Sequence, residues 1–173
     1  ALVQETGHEA ELLPLEEKVD RLSREVLVYV AKLPQDTPAL PLLKAASELE
    51  HLADLAKRAL RKAERLWTQG VTFSPEGKAE LARIVERTLA RLERALTALA
   101  TGNRALAERV LAEYPEVLAE VEASSEAHLR RLRDRVETRA STLTHLDLLL
   151  LLEELNLGVN RLARLVEEIH KEG

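Results

Sequence analysis

Leu49-Glu50-His51-Leu52-Ala53-Asp54, followed by Arg58-Ala59-Leu60, returns 103 residues later as Leu152-Glu153-Glu154-Leu155-Asn156-Leu157, followed by Arg161-Leu162-Ala163. Self-similarity at a constant long spacing marks duplicated supersecondary units, so the chain reads as two related halves. In the first copy Glu50 and Asp54 stand four residues apart, which places both carboxylates on one face of a helix. The second copy keeps Glu153 but has Leu157 where the second acid would fall. One half retains a paired-carboxylate face and the other has lost part of it.

Working outward, apolar periodicity and helix punctuation divide the chain into five long helices. The first spans about 11–33, with Leu12, Leu15, Val19, Leu22, Val26 and Val30 at three- and four-residue steps, and ends at Pro34-Gln35-Asp36. The second runs from an N-cap at Thr37 to about Thr68 along the seam Leu42, Leu49, Ala56 and Ala63, and stops before Gly70. Ser74-Pro75 opens the third as N-cap and first helical residue, and Gly102 ends it. Asn103 caps a fourth that extends to about Arg139 and is expected to kink, not break, at Tyr114-Pro115. The fifth, about 141–170, is apolar nearly all round between Leu146 and Leu157, which predicts a central buried helix.

Val19-Asp20 with Leu27 and Val30 matches Val121-Glu122 with Leu129 and Leu132 at an offset of 102, so helices one and two repeat as helices four and five. Helix three has no mate. The expectation is an all-α chain forming a single domain over 1–173, built as two tandem three-helix bundles. Repeat one covers about 11–68 and repeat two about 75–171, the first bundle lacking its N-terminal helix.

Composition agrees with that class and narrows the function. Aromatic residues make up 2% of the 173 residues and 46% are hydrophobic, the profile of long leucine-seamed helices with little strand-forming material. The net charge of −5 comes from interspersed acids and bases, which argues against a nucleic-acid partner. The basic run Arg130-Arg131-Leu132-Arg133-Asp134-Arg135 reads as a solvated helix face pairing with nearby acids. With no Cys, disulfides, thiol catalysis and cysteine-type zinc sites are excluded. The longest apolar run, Leu148 to Leu152, is far short of the ~20 residues a membrane span requires.

Glu50 and Asp54, as like charges one turn apart, repel by a few tenths of a kcal/mol unless something offsets them. Two readings stand: a solvated ladder completed by Lys57, Arg58 and Arg61, or half of a carboxylate cation site. Glu48-Leu49-Glu50-His51 also has the Glu-x-x-His spacing of ferritin-like di-iron bundles, but the other such pair, Glu5 and His8, falls in a glycine-containing leader. His128, His145 and His170 are scattered in sequence and suggest no nucleophilic triad. Gly158, inside the second copy, is expected to mark close helix packing.

At these residues the chain resembles the PhoU family of phosphate-transport regulators, whose repeats carry a Leu-Glu-Arg-Ile-Gly-Asp type motif. Leu49 to Asp54 matches it, Asp147 to Asn156 is similar to its second occurrence, and Ala100 to Val110 resembles the family's link between the first two helices of a repeat. The resemblance implies a non-enzymatic cytoplasmic domain that works by binding, its partner being the membrane domain of a phosphate transporter or a sensor kinase. It further implies a metal face for iron or zinc, carried here by Glu50, Asp54 and Glu153. The start at Ala1 and the leader through Leu33 look more like the soluble C-terminal domain of bacterial sodium-phosphate cotransporters, tethered to the inner membrane, and a homo-dimer is compatible with the pattern. A ferritin-like metal bundle and a structural helical adaptor docking through Leu148 to Leu157 are the alternatives.

Overall fold

The computed structural model describes residues 40–169, together with Glu17, Asp20, Arg21, Arg24, Glu25, Val28 and Ala31, all seven of them helical. The expected first helix, the Thr37 cap, and His8 and His170 otherwise lie outside the described residues. Five helical segments follow: α1 (Leu40–Thr68), α2 (Pro75–Thr101), α3 (Arg104–Ala112), α4 (Tyr114–Arg133) and α5 (Arg139–Ile169). The described residues contain no strand, and the architecture is an all-α bundle. The punctuation works as the residues dictate. Ser74 Oγ accepts from the Gly77 amide and Asn103 Oδ1 from the Leu106 amide, while Gly102 closes α2 in the left-handed conformation at φ 71°.

α5 is the axis of the bundle: all four other segments pack on it, and α1 does so most extensively. The two helices run antiparallel, tied at their rims by Lys44 to Glu168, Arg161 to Glu48 and Lys62 to Asp147. Gly158 faces Leu52 and Glu48 of α1 across this contact. A Cβ built there would overlap the Leu52 side chain and stand 2.8 Å from Glu48 Oε1. Leu52 is fully buried and has nowhere to go, so the glycine is required by close approach of the two axes. Around this contact Leu49, Leu52, Leu55, Ala59, Leu152, Leu155, Val159 and Leu162 form the centre of one continuous apolar core.

The fourth helix kinks at Tyr114-Pro115 as expected: Glu113 keeps right-handed helical angles (φ −79°, ψ −15°), and its amide and carbonyl bond Arg109 and Val117, so α3 and α4 are two pieces of one bent helix. Two sequence expectations change. That helix ends at Arg133 and not near Arg139. Arg135 adopts φ 59°, and the Arg131 carbonyl takes the amides of Val136 and Glu137, which closes the helix and frees α5 to start at Arg139. The fifth helix is buried on most of its circumference but keeps one exposed strip, with Leu143, Leu150 and Leu157 at seven-residue intervals.

A charged residue also pins the core. Arg91, fully buried on α2, forms no ion pair with a carboxylate among the described residues; its guanidinium donates to Asn156 Oδ1 at 2.7 Å, to the Val110 carbonyl at 2.9 Å and to Asn160 Oδ1. Asn156 in turn donates to Thr88 Oγ1 and the Leu152 carbonyl, each at 2.8 Å. Burial lowers the Arg91 pKa to about 10, so the group remains charged at neutral pH and is held by neutral acceptors.

Two stability outcomes follow from these contacts. Gly158→Ala gains helix propensity but overpacks against Leu52, and is expected to destabilise the chain by about 1–2 kcal/mol in chemical denaturation. Adding Leu52→Ala opens the space, so the double variant should lose less than the sum of the singles. Arg91→Met strands the acceptors on Asn156, Asn160 and Val110 and should cost about 3–5 kcal/mol; a loss under about 1 kcal/mol would contradict its role as a pin.

Candidate functional site

Glu50 and Asp54 are both exposed on α1, and Glu153 is half-buried on α5. Lys57, expected to complete an acidic-to-basic ladder, instead reaches Asp20 at 3.6 Å. Glu48 is engaged by Arg161 across the α1–α5 contact, and His51 is exposed, so the Glu-x-x-His pair does not converge on a common point. Among the described residues the structure gathers a different set. Glu80, His128 and His145 bring carboxylate and imidazole atoms within 4.8 Å of one another, and Glu50, Asp54 and Glu153 belong to no such group of three.

That set lies at the end of the bundle where α2 and α5 begin and α4 ends. It corrects the expectation that His128 and His145 are scattered: the two imidazoles, both fully buried, stack with centroids 3.9 Å apart and planes 17° apart. Phe73 packs edge-on against both rings. Their Cε1 atoms would lie 3.4 and 3.5 Å from a Cβ on Gly77, in the first turn of α2. Arg131, read from sequence as part of a solvated run, turns inward. It donates to Glu80 through both terminal nitrogens, at 2.8 and 3.0 Å, and to His128 Nδ1 at 2.8 Å. Glu137, in the turn before α5, accepts from the Ser74 amide and from Ser141 Oγ, each at 2.9 Å, and stands 3.7 Å from Arg131 Nε.

The network assigns the protons. Arg131 can only donate, so His128 Nδ1 is the acceptor and the ring proton sits on Nε2. Ser124 Oγ gives its hydrogen to Glu80 Oε2 at 2.7 Å, so His145 Nε2, 3.2 Å away, donates to Ser124 and leaves Nδ1 as a bare lone pair. The Ser141 backbone supports the His128 ring, whereas His145 Nδ1 is buried without a hydrogen-bond partner. Such an orphan costs about 1–3 kcal/mol.

Electrostatics keep both rings neutral. Burial pushes the His145 pKa down to about 3, helped by the adjacent His128. Burial lowers His128 as well, against the raising influence of Glu137. For Glu80, burial favours the neutral acid, but the hydrogen bonds from Arg131 and Ser124 prevail and hold it below its ordinary value. Glu137 behaves alike: burial raises it, and bonding to Ser74 and Ser141 outweighs that.

The Ser124–His145 contact has the look of a nucleophile and its base. The rest of a triad is missing: His145 Nδ1 has no orienting carboxylate, and the serine hydrogen is committed to Glu80. The donor set has the composition of a transition-metal site, two imidazoles and a carboxylate. A cavity of about 130 Å³ lined by Glu80, Arg83, Ile84, Glu120, Ala123 and Ser124 adjoins it.

The backbone superposes on the crystal structure of PhoU from Pseudomonas aeruginosa with a TM-score of 0.74, covering 98% of this chain and 88% of that one at 18% sequence identity. The chain has a PhoU-like fold. No protein-family model matches the sequence, nor does any curated protein. Within the PhoU-like bundle the repeated motif marks the faces of α1 and α5, with Asp54 and Leu157 both exposed at equivalent positions. The buried cluster could be read only as polar residues on apolar helix faces: His145 in step with Leu148, Leu149 and Leu152, and His128 with Val117, Val121 and Ser124. Glu80 is 48 residues from His128 and carries no local signal of its partners.

The histidines give the fold a specific acid response. Their folded-state pKa values lie below the unfolded value near 6.5, so below that pH the unfolded chain binds protons that the folded chain refuses. Stability should therefore fall as pH drops from about 6.5, at up to about 1.4 kcal/mol per pH unit for each such histidine. Glu80 and Glu137, being depressed, add their own loss only below about 4.5. Denaturation midpoints between pH 7 and 5 should flatten in His145→Asn; an unchanged slope would show that His145 does not set it.

Proposed function

We propose that this chain is a non-enzymatic regulatory domain associated with phosphate transport, acting in the cytoplasm by docking to the membrane domain of a phosphate transporter or to a sensor kinase. The observation that carries this reading is the match of nearly the whole chain to PhoU. The described helices fit such a role: none is long and apolar enough to cross a membrane, and the exposed motif faces stand ready for contact. Glu50 and Asp54, with Glu153 as the counterpart in the second repeat, are the docking and metal-binding residues of this reading, with iron or zinc as the ion. The exposure of Glu50 and Asp54 supports it, because carboxylates on adjacent turns can share one cation or one basic partner without any desolvation beforehand.

The test is phosphate uptake in cells that carry the intact gene, a deletion, or Glu50→Gln/Asp54→Asn, alongside metal analysis of the purified proteins after reconstitution with iron or zinc. Uptake should change on deletion, and the double variant should reproduce the deletion while folding normally. Stoichiometric metal that disappears in the variant assigns the ion to that face. Uptake indifferent to deletion would reject the regulatory reading, and metal retained in the variant would reject Glu50 and Asp54 as ligands.

A further inference from the structure

Independently of the regulatory role, we infer that Glu80, His128 and His145 form a binding site inside the bundle for a divalent transition ion of the zinc or cobalt type, for which the Arg131 guanidinium is the competing cation. Two imidazoles and one carboxylate are the donors such ions select, in preference to the all-oxygen surroundings of calcium or magnesium. Their ligand atoms are already within 4.8 Å of one another, and His145 Nε2 is 3.9 Å from Glu80 Oε2. With metal–ligand bonds of about 2.0–2.1 Å, neighbouring ligands on a tetrahedral ion stand roughly 3.4 Å apart, so closure asks for about 0.5 Å on the His145–Glu80 pair and at most about 1.4 Å on the widest.

Arg131 shows what the pocket recognises. One terminal nitrogen is shared between His128 Nδ1 at 2.8 Å and Glu80 Oε2 at 3.0 Å, a positive group bonded to two of the three donors. An incoming ion has to displace it, and a second anion is at hand: Arg131 Nε lies 3.7 Å from Glu137 Oε1. The stacking of the rings sets a further condition. A metal lies near the plane of each imidazole it binds, so one ring must turn about its Cβ–Cγ bond. His145 Nδ1, fully buried and without a partner, has no hydrogen bond to lose when its ring turns, and only the Nε2 contact with Ser124 is exchanged for the ion. This orphaned nitrogen is evidence apart from the clustering, since buried polar atoms in native cores are almost always satisfied. Both rings are neutral, so binding through His145 Nε2 asks only that its proton move to the bare Nδ1, with no net loss of a proton from the ring. The cavity lined by Glu80 and Ser124 reaches one of the three donors, Glu80, from outside the core.

Chelator-stripped protein, the full chain, is titrated with Co2+ while its visible d–d absorption is recorded, and with Zn2+ by calorimetry. One equivalent of Co2+ should bind with the intense bands of a nitrogen-containing tetrahedral site. Arg131→Met, which removes the competitor, should bind roughly tenfold tighter or more. The bands should vanish in His145→Asn and survive in Glu50→Gln/Asp54→Asn. If His145→Asn does not fold, the imidazole 15N shifts of the wild-type protein decide, because Zn2+ must move the signals of both His128 and His145. Absence of uptake by both wild type and Arg131→Met overturns the site. So do bands that persist in a folded His145→Asn or disappear in the Glu50/Asp54 variant, and binding weakened by Arg131→Met overturns the competition.

Discussion

The close approach of α1 and α5 at Gly158 is the constraint on which the rest of the molecule is arranged. A side chain there would push the axes apart, and Leu52, Leu155 and Leu162 would lose the contacts that bury them completely. The ion pairs along the rim follow the same register, with Lys44, Glu48 and Lys62 on α1 meeting Glu168, Arg161 and Asp147 on α5. Exposed pairs of this kind contribute about 0–1 kcal/mol each. They select the antiparallel alignment; the burial of leucine around the glycine holds it.

Against that axis the other helices are fixed by polar contacts more than by shape. Leucine and alanine faces tolerate several rotational settings, whereas Asn156 can serve Arg91, Thr88 and Leu152 at once in only one. At the far end, Arg131 does the same for α4 by holding Glu80 of α2 beside His128. The two nodes differ in their response to protons. Arg91 rests on neutral acceptors and stays charged across the accessible range. The Glu80 node relies on two ionised carboxylates and two neutral histidines, and acid attacks both.

Helix existence and punctuation were legible because they are local. Ser74, Gly102 and Asn103 act within four residues of themselves, and the leucine periodicity states which face is buried before any tertiary contact forms. The shortening of the fourth helix was not legible, since it depends on Arg135 adopting a left-handed conformation that no glycine announces. Gly158 was rightly taken as a packing position. The buried cluster escaped notice because its members come from three helices and its geometry exists only once α2 and α4 have packed on α5. The residue that could have exposed it is His145: an ionisable side chain in step with three buried leucines has to be neutral, paired or functional.

The repeated motif finishes as two faces of different chemistry. Burial cannot explain the exchange of Asp54 for Leu157, because both side chains reach solvent at equivalent places in the repeat. On α1 the exposed strip carries Glu50 and Asp54; on α5 it carries Leu143, Leu150 and Leu157, one leucine every two turns. A partner that touched the α1 face would have to supply cations, and one that touched the α5 face would have to supply apolar surface. The near-symmetry of the sequence therefore does not carry over to recognition: duplicated helices present surfaces that ask for partners of different chemistry.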